Sequence, residues 1–167
     1  NFNSQLNFDE KNLGKYTKYL DKYDFVKNVK NLNATLNNNF SINFDNTYKI
    51  KNYDYSFSGI LKKSKYKLTK PIKNEFLNKE IKEIYFSDLK TQAVLRPTGI
   101  KIDTEGKYSL NNLDFLKIKI NNLSNKSSSN FLLDVDYKES LKFDIINYQK
   151  PKNVIANLSL DMERKKD

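Results

Sequence analysis

Apolar and polar residues alternate along most of this chain. Leu32, Ala34, Leu36, Phe40, Ile42 and Phe44 fall on even positions, with Asn33, Thr35, Asn39, Ser41 and Asn43 between them. Period two marks a strand with one apolar and one wet face. At about 3.3 Å per residue this strand reaches roughly 40 Å, well beyond the usual five or six residues. Asn37-Asn38-Asn39 could split it with a turn, because Asn tolerates left-handed backbone, but the even parity runs through and favours one strand. Asp45-Asn46-Thr47 then supplies turn chemistry, and a second alternating run follows. Tyr48 and Ile50 are even, whereas Tyr53, Tyr55, Phe57 and Leu61 are odd. That parity change predicts a bulge near Lys51-Asn52, since one extra residue sends every later side chain to the other face. Residues 31–62 therefore read as a long hairpin.

Around it the pattern varies. Gln5 to Phe8 suits a short strand. Tyr16, Tyr19, Leu20 and Tyr23 have helical spacing and predict an amphipathic helix over 10–24, with Asp9 as its N-cap and its aromatic stripe packed on the sheet. The basic run Lys62 to Lys70 reads as a continuing strand whose lysines guard an edge. Pro71, Ile72, Phe76 and Leu77 predict a short helix over 71–82.

Residues 84–162 read as a β meander. Strands are expected at 84–86 and 90–96, followed by a turn at Arg96-Pro97-Thr98-Gly99. Asp103-Thr104-Glu105-Gly106 resembles a tight hairpin turn closed by a left-handed Gly. Leu116, Ile118 and Ile120 alternate, and Asn121 to Asn130 is low in complexity and reads as a flexible loop tip. Phe131 to Tyr137 and then Leu141, Phe143 and Ile145 give two strands around a turn at Lys138-Glu139-Ser140. Pro151 ends the second. Val154 to Met162 gives the last, and Glu163 to Asp167 a charged tail. The expected fold class is mainly β: a long-stranded, curved antiparallel sheet in a groove or meander, with an N-terminal helix and a second short helix. All 167 residues form one expected domain, read as a segment of a longer protein.

Composition narrows the chemistry. The chain has no Cys and no His, which removes disulfides, thiolate chemistry, histidine general bases and typical zinc sites. Its four Gly residues share no phosphate-binding loop. Asp134 and Asp136 lie two apart on one strand and share a face, but Lys117, Lys119 and Lys142 are expected beside them, so cross-strand ion pairing is the favoured role. Asp103 to Glu105 is too short for a calcium loop. No catalytic residues, metal or cofactor are therefore assigned, and no enzyme is expected. The net charge of +10 comes with abundant Asn, Lys, Ile, Tyr and Phe and only two arginines, the usage of an AT-rich genome. A basic nucleic-acid module would use Lys62 to Lys70 with Tyr53, Tyr55 and Tyr66. It is the least favoured reading.

The broad apolar face needs a cover, and two short helices cover only part of it. Its candidate lining is Leu32, Leu36, Phe40, Ile42, Phe44, Phe57, Leu133, Val135, Phe143, Ile145 and Leu158. Large exposed apolar surface marks a binding site. The run LNATLNNNFSINFDNTYKIKNYDYSFSGIL of Leu32 to Leu61, the GKYSLNN of Gly106 to Asn112 and the YQKPKNVIANLSLDME of Tyr148 to Glu163 resemble the AsmA-like family of bacterial envelope proteins. The resemblance spans residues 32–162. It implies an elongated groove that guides phospholipid acyl chains between membranes in outer-membrane biogenesis. It also implies a periplasmic location, no cofactor, neighbouring segments of a parent protein as partners, and an inner-membrane anchor outside these residues. The basic balance and the N-terminal helix depart from the family's pattern. The alternative is a closed structural or protein-interaction β domain without ligand.

Overall fold

The computed structural model describes residues 1–9, 28–73 and 80–165. The alternation becomes one eight-stranded antiparallel sheet. Its strands are β1 (Phe2–Phe8), β2 (Val29–Phe44), β3 (Ile50–Ile72), β4 (Ile81–Arg96), β5 (Gly99–Ser109), β6 (Leu116–Asn125), β7 (Ser128–Tyr137) and β10 (Ala156–Lys165). They lie in that order, so the first seven form a pure meander and β10 closes the far edge against β7. Between β7 and β10 the chain makes a separate two-stranded piece, β8 (Leu141–Phe143) and β9 (Tyr148–Lys150).

The expected helices need correction. Among the described residues the element order contains no α-helix, and its one helical element is a 3-10 turn at Asp144–Ile146. The helix expected over 10–24 lies outside the described residues. At 71–82, Pro71 and Ile72 end β3, and Ile72 pairs with Ile81 at the start of β4; residues 74–79 are not described. Pro71 is tolerated there because pairing with β4 stops at Lys67 and resumes only at Ile72, so its missing N–H breaks no ladder bond.

The long hairpin is present. β2 runs unbroken through Asn37-Asn38-Asn39. The connecting turn is fastened by Asp45, whose carboxylate accepts from the Thr47 hydroxyl at 2.7 Å and from the amides of Thr47 and Lys49 at 2.8 and 3.0 Å. The hydroxyl bond leads in holding the Asp45 carboxyl below its ordinary range. The expected bulge is also there: pairing passes from Asn43↔Asn52 to Phe44↔Ile50, leaving Lys51 extra. A second bulge at Lys62 returns the parity, because pairing passes from Ala34↔Leu61 to Asn33↔Lys63. Leu61 and Tyr66 thus share a face despite their odd and even numbers. Lys63, Lys65 and Lys67 are paired with β4, and Lys63 and Lys65 with β2 as well, so this basic run is an interior strand and not the guarded edge.

Two further expectations fail for one reason: polar composition has the look of a turn where pairing partners exist on both sides. Asp103 to Gly106 stays in β5, paired to β6 throughout, and no Gly among the described residues has a positive φ. Asn121 to Asn125 continues β6 and Ser128 to Asn130 opens β7. Only Lys126-Ser127 turns, under the Asn125 carboxamide, which accepts from the amides of Ser127 and Ser128 at 2.8 and 2.7 Å. The "charged tail" from Glu163 likewise belongs to β10 up to Lys165. The Arg96–Gly99 turn is present, with those two residues paired across it.

β8 and β9 do not extend the meander. Leu141 is 3 % exposed and the neighbouring Lys150 2 %. The Lys150 ammonium donates to the carbonyls of Glu139 at 2.6 Å and Pro151 at 3.2 Å and sits 5.7 Å from the Tyr137 ring centroid. Lys150→Ala is expected to cost about 1–3 kcal/mol by orphaning these carbonyls, and to speed amide exchange selectively at Leu141–Phe143. Unchanged exchange there would mean that the small sheet stands without this anchor.

Candidate functional site

Register sorts the side chains into two faces. Odd positions of β2 from Asn31 to Asn43 carry Asn, Thr and Ser, and their neighbours on β1 and β3 are polar except for Ile60. Even positions from Leu32 to Phe44 carry Leu, Ala, Phe and Ile, with Asn38 the one exception. Following the pairs across the sheet at one level gives Leu6, Ala34, Leu61, Leu89, then Gly106, Ile118, Val135 and Leu158. One apolar row therefore crosses all eight strands, about 34 Å at roughly 4.8 Å per strand. At its centre Leu89, Tyr108 and Ile118 are buried, packed with Leu61, Phe86, Leu116, Leu133 and Val135.

Of the expected lining residues, Leu32, Leu36, Phe40, Ile42, Phe44, Phe57, Leu133, Val135 and Leu158 share this face. Phe143 and Ile145 do not belong to the sheet. Phe143 ends β8, and Ile145 sits in the 3-10 turn, 93 % exposed. Their alternation suggested a strand, but Asn147 takes left-handed backbone (φ 50°) and reverses the chain after three paired residues.

Away from the packed centre the face is open. Phe40 is 49 % exposed, Phe44 56 %, Leu160 45 % and Met162 47 %. Phe2, Phe40, Tyr53, Tyr55 and Leu95 line a hollow of about 400 Å³. Phe40 meets Tyr55 edge-on at 6.0 Å. Beside the hollow sits Asn38, a buried polar residue on the apolar parity. Its amide donates to Ser4 Oγ at 2.9 Å and to the carbonyls of Phe2 and Leu36, each at 3.3 Å, and its oxygen accepts from the Tyr55 hydroxyl at 2.7 Å. It stitches β1, β2 and β3 together. The sequence signal was the one Asn among Leu32 to Phe44 with an even number and no apolar side chain.

The opposite face is a field of exposed ion pairs. Lys65 bonds Glu83 at 2.9 Å, and Tyr85 donates to the same carboxylate at 2.7 Å. The Lys65 bond, then Tyr85, holds the Glu83 carboxyl below its ordinary range. Arg96 pairs with Asp54 at 2.6 Å. Asp103 accepts from Asn121 at 2.7 Å and pairs with Lys101 at 3.1 Å, and the Asn121 bond leads in lowering its carboxyl. Asp134 stands opposite Lys119, and Asp136 opposite Asn157. Among the described residues no three acidic side chains gather as metal ligands.

The faces also separate the two halves of the nucleic-acid reading. Tyr53, Tyr55 and Tyr66 project from the apolar face, while Lys63, Lys65 and Lys67 project from the other. Among the described residues no helix is long and apolar enough to cross a membrane. Comparison with protein-family models, curated proteins and solved structures found no match.

Proposed function

We propose that the apolar face of this sheet holds phospholipid acyl chains, as part of an elongated β-groove of the AsmA-like kind in the bacterial envelope. The observation that carries this reading is a one-sided, eight-stranded sheet whose apolar face, among the described residues, is met by the small β8–β9 piece at its Tyr137 corner and is open at Phe40, Phe44, Leu160 and Met162. Its large side chains stay open to solvent at both ends, with Phe40, Phe44, Leu160 and Met162 each about half exposed. In water that exposure is unfavourable by about 25 cal/mol per Å² of apolar surface, and a hydrocarbon chain laid along it removes the cost. The chemistry is solvation of hydrocarbon with no bond made. In this proposal the parent protein works in the periplasm, and neighbouring segments prolong the face. The closed structural alternative draws on the sealed centre of the face, where Leu89 is 7 % exposed.

Lipid extraction and mass spectrometry decide between them. Phospholipid at stoichiometric amounts is expected on the purified protein and is expected to fall at least tenfold in the Phe40→Glu, Phe44→Glu variant. Both side chains lie outside the packed cluster, so circular dichroism should be unchanged. A well-folded parent protein that retains no lipid and takes none from phosphatidylglycerol vesicles would reject the groove.

A further inference from the structure

The sheet ends in two open edges, and the strands at those edges fit each other. Among the described residues β1 and β10 each have a hydrogen-bonded strand on one side only. Every adjacent pair in the sheet is antiparallel, so across eight strands β1 and β10 run in opposite directions. A second copy placed with its β1 against β10 therefore continues the antiparallel order and keeps the apolar residues on one side. Neither edge carries the usual guards against such pairing. β1 has no charged residue, Pro or Gly, and its pairing, like that of β10, has no bulge.

The backbone groups on the two edges are also in phase. The Asp45 amide donates across the hairpin to the Lys49 carbonyl at 2.8 Å, so odd positions along β2 turn their backbone groups to β3 and even positions to β1. Even positions of β1 pair with even positions of β2 and face inward, which leaves the N–H and C=O of Asn3, Gln5 and Asn7 pointing outward. At the other end the Asp136 carbonyl points back toward β6, where it accepts from Tyr108, so odd positions of β7 face β10. Their partners are Ala156, Leu158, Leu160 and Met162, and the outward groups are those of Asn157, Ser159 and Asp161. Leu6 and Leu158 are the two ends of one apolar row. Setting Leu6 of the second copy opposite Leu158 lays the seven residues of β1 along Ala156–Met162. Asn7, Gln5 and Asn3 then stand opposite Asn157, Ser159 and Asp161, so outward groups meet outward groups in about six hydrogen bonds, two per pair. No like charges meet, because Asp161 is the one charged residue in the register.

We infer that β1 and β10 are the two halves of one interface, and that copies of this chain associate head to tail by pairing β10 of one with β1 of the next. The apolar row then passes from Leu158 directly to Leu6 of the second copy, and each addition lengthens the face. The interface is heterologous. Strand addition over so short an edge is weak and concentration-dependent. With a net charge of +10 on each copy, association strengthens as salt screens the repulsion. Head-to-tail pairing stands independently of what the apolar face holds.

The chain has no Cys, so single introduced cysteines report the contact. Gln5→Cys and Ser159→Cys, both at exposed positions, are prepared as separate proteins and mixed with a short bismaleimide. The mixture should crosslink about tenfold or more faster than either variant alone, because pairing raises the effective concentration of the two thiols. Gln5→Cys mixed with Gln92→Cys, exposed in mid-sheet, should crosslink no faster than the single variants. Ser159→Cys or Gln5→Cys alone crosslinking as fast as the mixture would mean that like edges meet, and a mixture no faster than the Gln92→Cys control would mean that the edges do not pair; either result overturns the inference. So does crosslinking confined within single chains of a Gln5→Cys, Ser159→Cys double variant, which would mean that the sheet closes on itself. Ser159→Pro removes an outward N–H and spares the ladder to β7. It should match the parent by circular dichroism and sediment as a monomer at concentrations where the parent associates, and Gln5→Pro tests the other edge in the same way. A folded Pro variant that associates like the parent overturns the inference, as does a parent protein that stays monomeric while concentration and salt are raised.

Discussion

Gly106→Ala is expected to destabilise the protein by about 3 kcal/mol, the upper range for forcing an extra carbon into packed structure. Gly106 lies within β5 with no unusual φ, so the cost does not come from backbone conformation. It comes from the strand beside it. Pairing between β4 and β5 passes from Ser87↔Lys107 to Lys90↔Glu105, which leaves two residues, Asp88 and Leu89, facing Gly106 alone. Asp88 takes the left-handed region (φ 54°) and pushes its carbonyl toward β5. A Cβ on Gly106 would stand 2.6 Å from that oxygen and 2.8 Å from Leu89 Cα. Both are backbone atoms, and β4 is pinned on its other side by Leu61↔Leu89 and Lys63↔Ser87. To make room, the bulge must shift, and with it Leu89 at the centre of the packed cluster. Against a total stability of roughly 5–15 kcal/mol this is a large loss. Urea unfolding should show the midpoint drop for Gly106→Ala, with the neighbouring exposed Lys107→Ala within about 0.5 kcal/mol of the parent. A loss below about 1 kcal/mol at Gly106 would mean that the bulge is soft and the close approach carries no weight.

The same bulge shows where sequence reading stopped. The two-residue period of Leu32 to Phe44, of Phe131 to Tyr137 and of Leu158 to Met162 made the one-sided sheet legible, because side-chain direction in a strand depends only on counting. One parity break, at Lys51, was visible for the same reason. The bulges at Lys62 and Asp88 were not. Leu61 and Tyr66, or Phe86 and Leu89, differ in parity across a short polar stretch, and nothing local distinguishes a bulge from the end of a strand. Lys62 and Asp88 lie abreast, since Leu61↔Leu89 and Lys63↔Ser87 flank them. This coincidence between distant residues exists only after folding. Asp-Thr-Glu-Gly has turn composition, whereas Gly106 answers a steric demand from another strand. Among the candidate lining residues, those on β2, β3, β7 and β10 were found by parity. Phe143 and Ile145 were carried along by a pattern that Asn147 cuts short. Glu163 to Lys165 read as a tail, because the length of β10 is set by its partner β7 and not by its own hydrophobicity.

Raising the pH from 10 to 12 is expected to remove up to about 3 kcal/mol of stability through Tyr108 alone. Tyr108 is 6 % exposed, and its hydroxyl reaches past β6 to donate to the Asp136 carbonyl on β7 at 2.7 Å. Burial, followed by the nearby Tyr137 and Asp136, pushes its ionisation up to about 12 from the ordinary 10. A phenolate there would lose the only role its oxygen has, that of donor to a carbonyl, and would be desolvated as well. Below pH 10 the phenol is protonated in both folded and unfolded chains, so it adds no pH dependence. Between 10 and 12 the unfolded chain releases this proton and the folded chain keeps it. Stability therefore falls as pH rises, by about 1.4 kcal/mol per unit, and levels off once the folded form also ionises. Tyr137, raised by its own burial, tilts the profile the same way. Lys65 does too, because its bond to Glu83 raises its ionisation. Comparison with Tyr108→Phe isolates the one group. That variant should lose about 1 kcal/mol at neutral pH, for the missing hydrogen bond, and then decline less steeply than the parent above pH 10, so that the two stabilities cross at about pH 11 and the variant is the more stable of the two at pH 12. Parallel profiles across this range would mean that the Tyr108 phenol ionises in the folded protein as readily as in water. The corner where β5, β6 and β7 meet would then be open to solvent, and not the sealed end against which β8 and β9 are anchored.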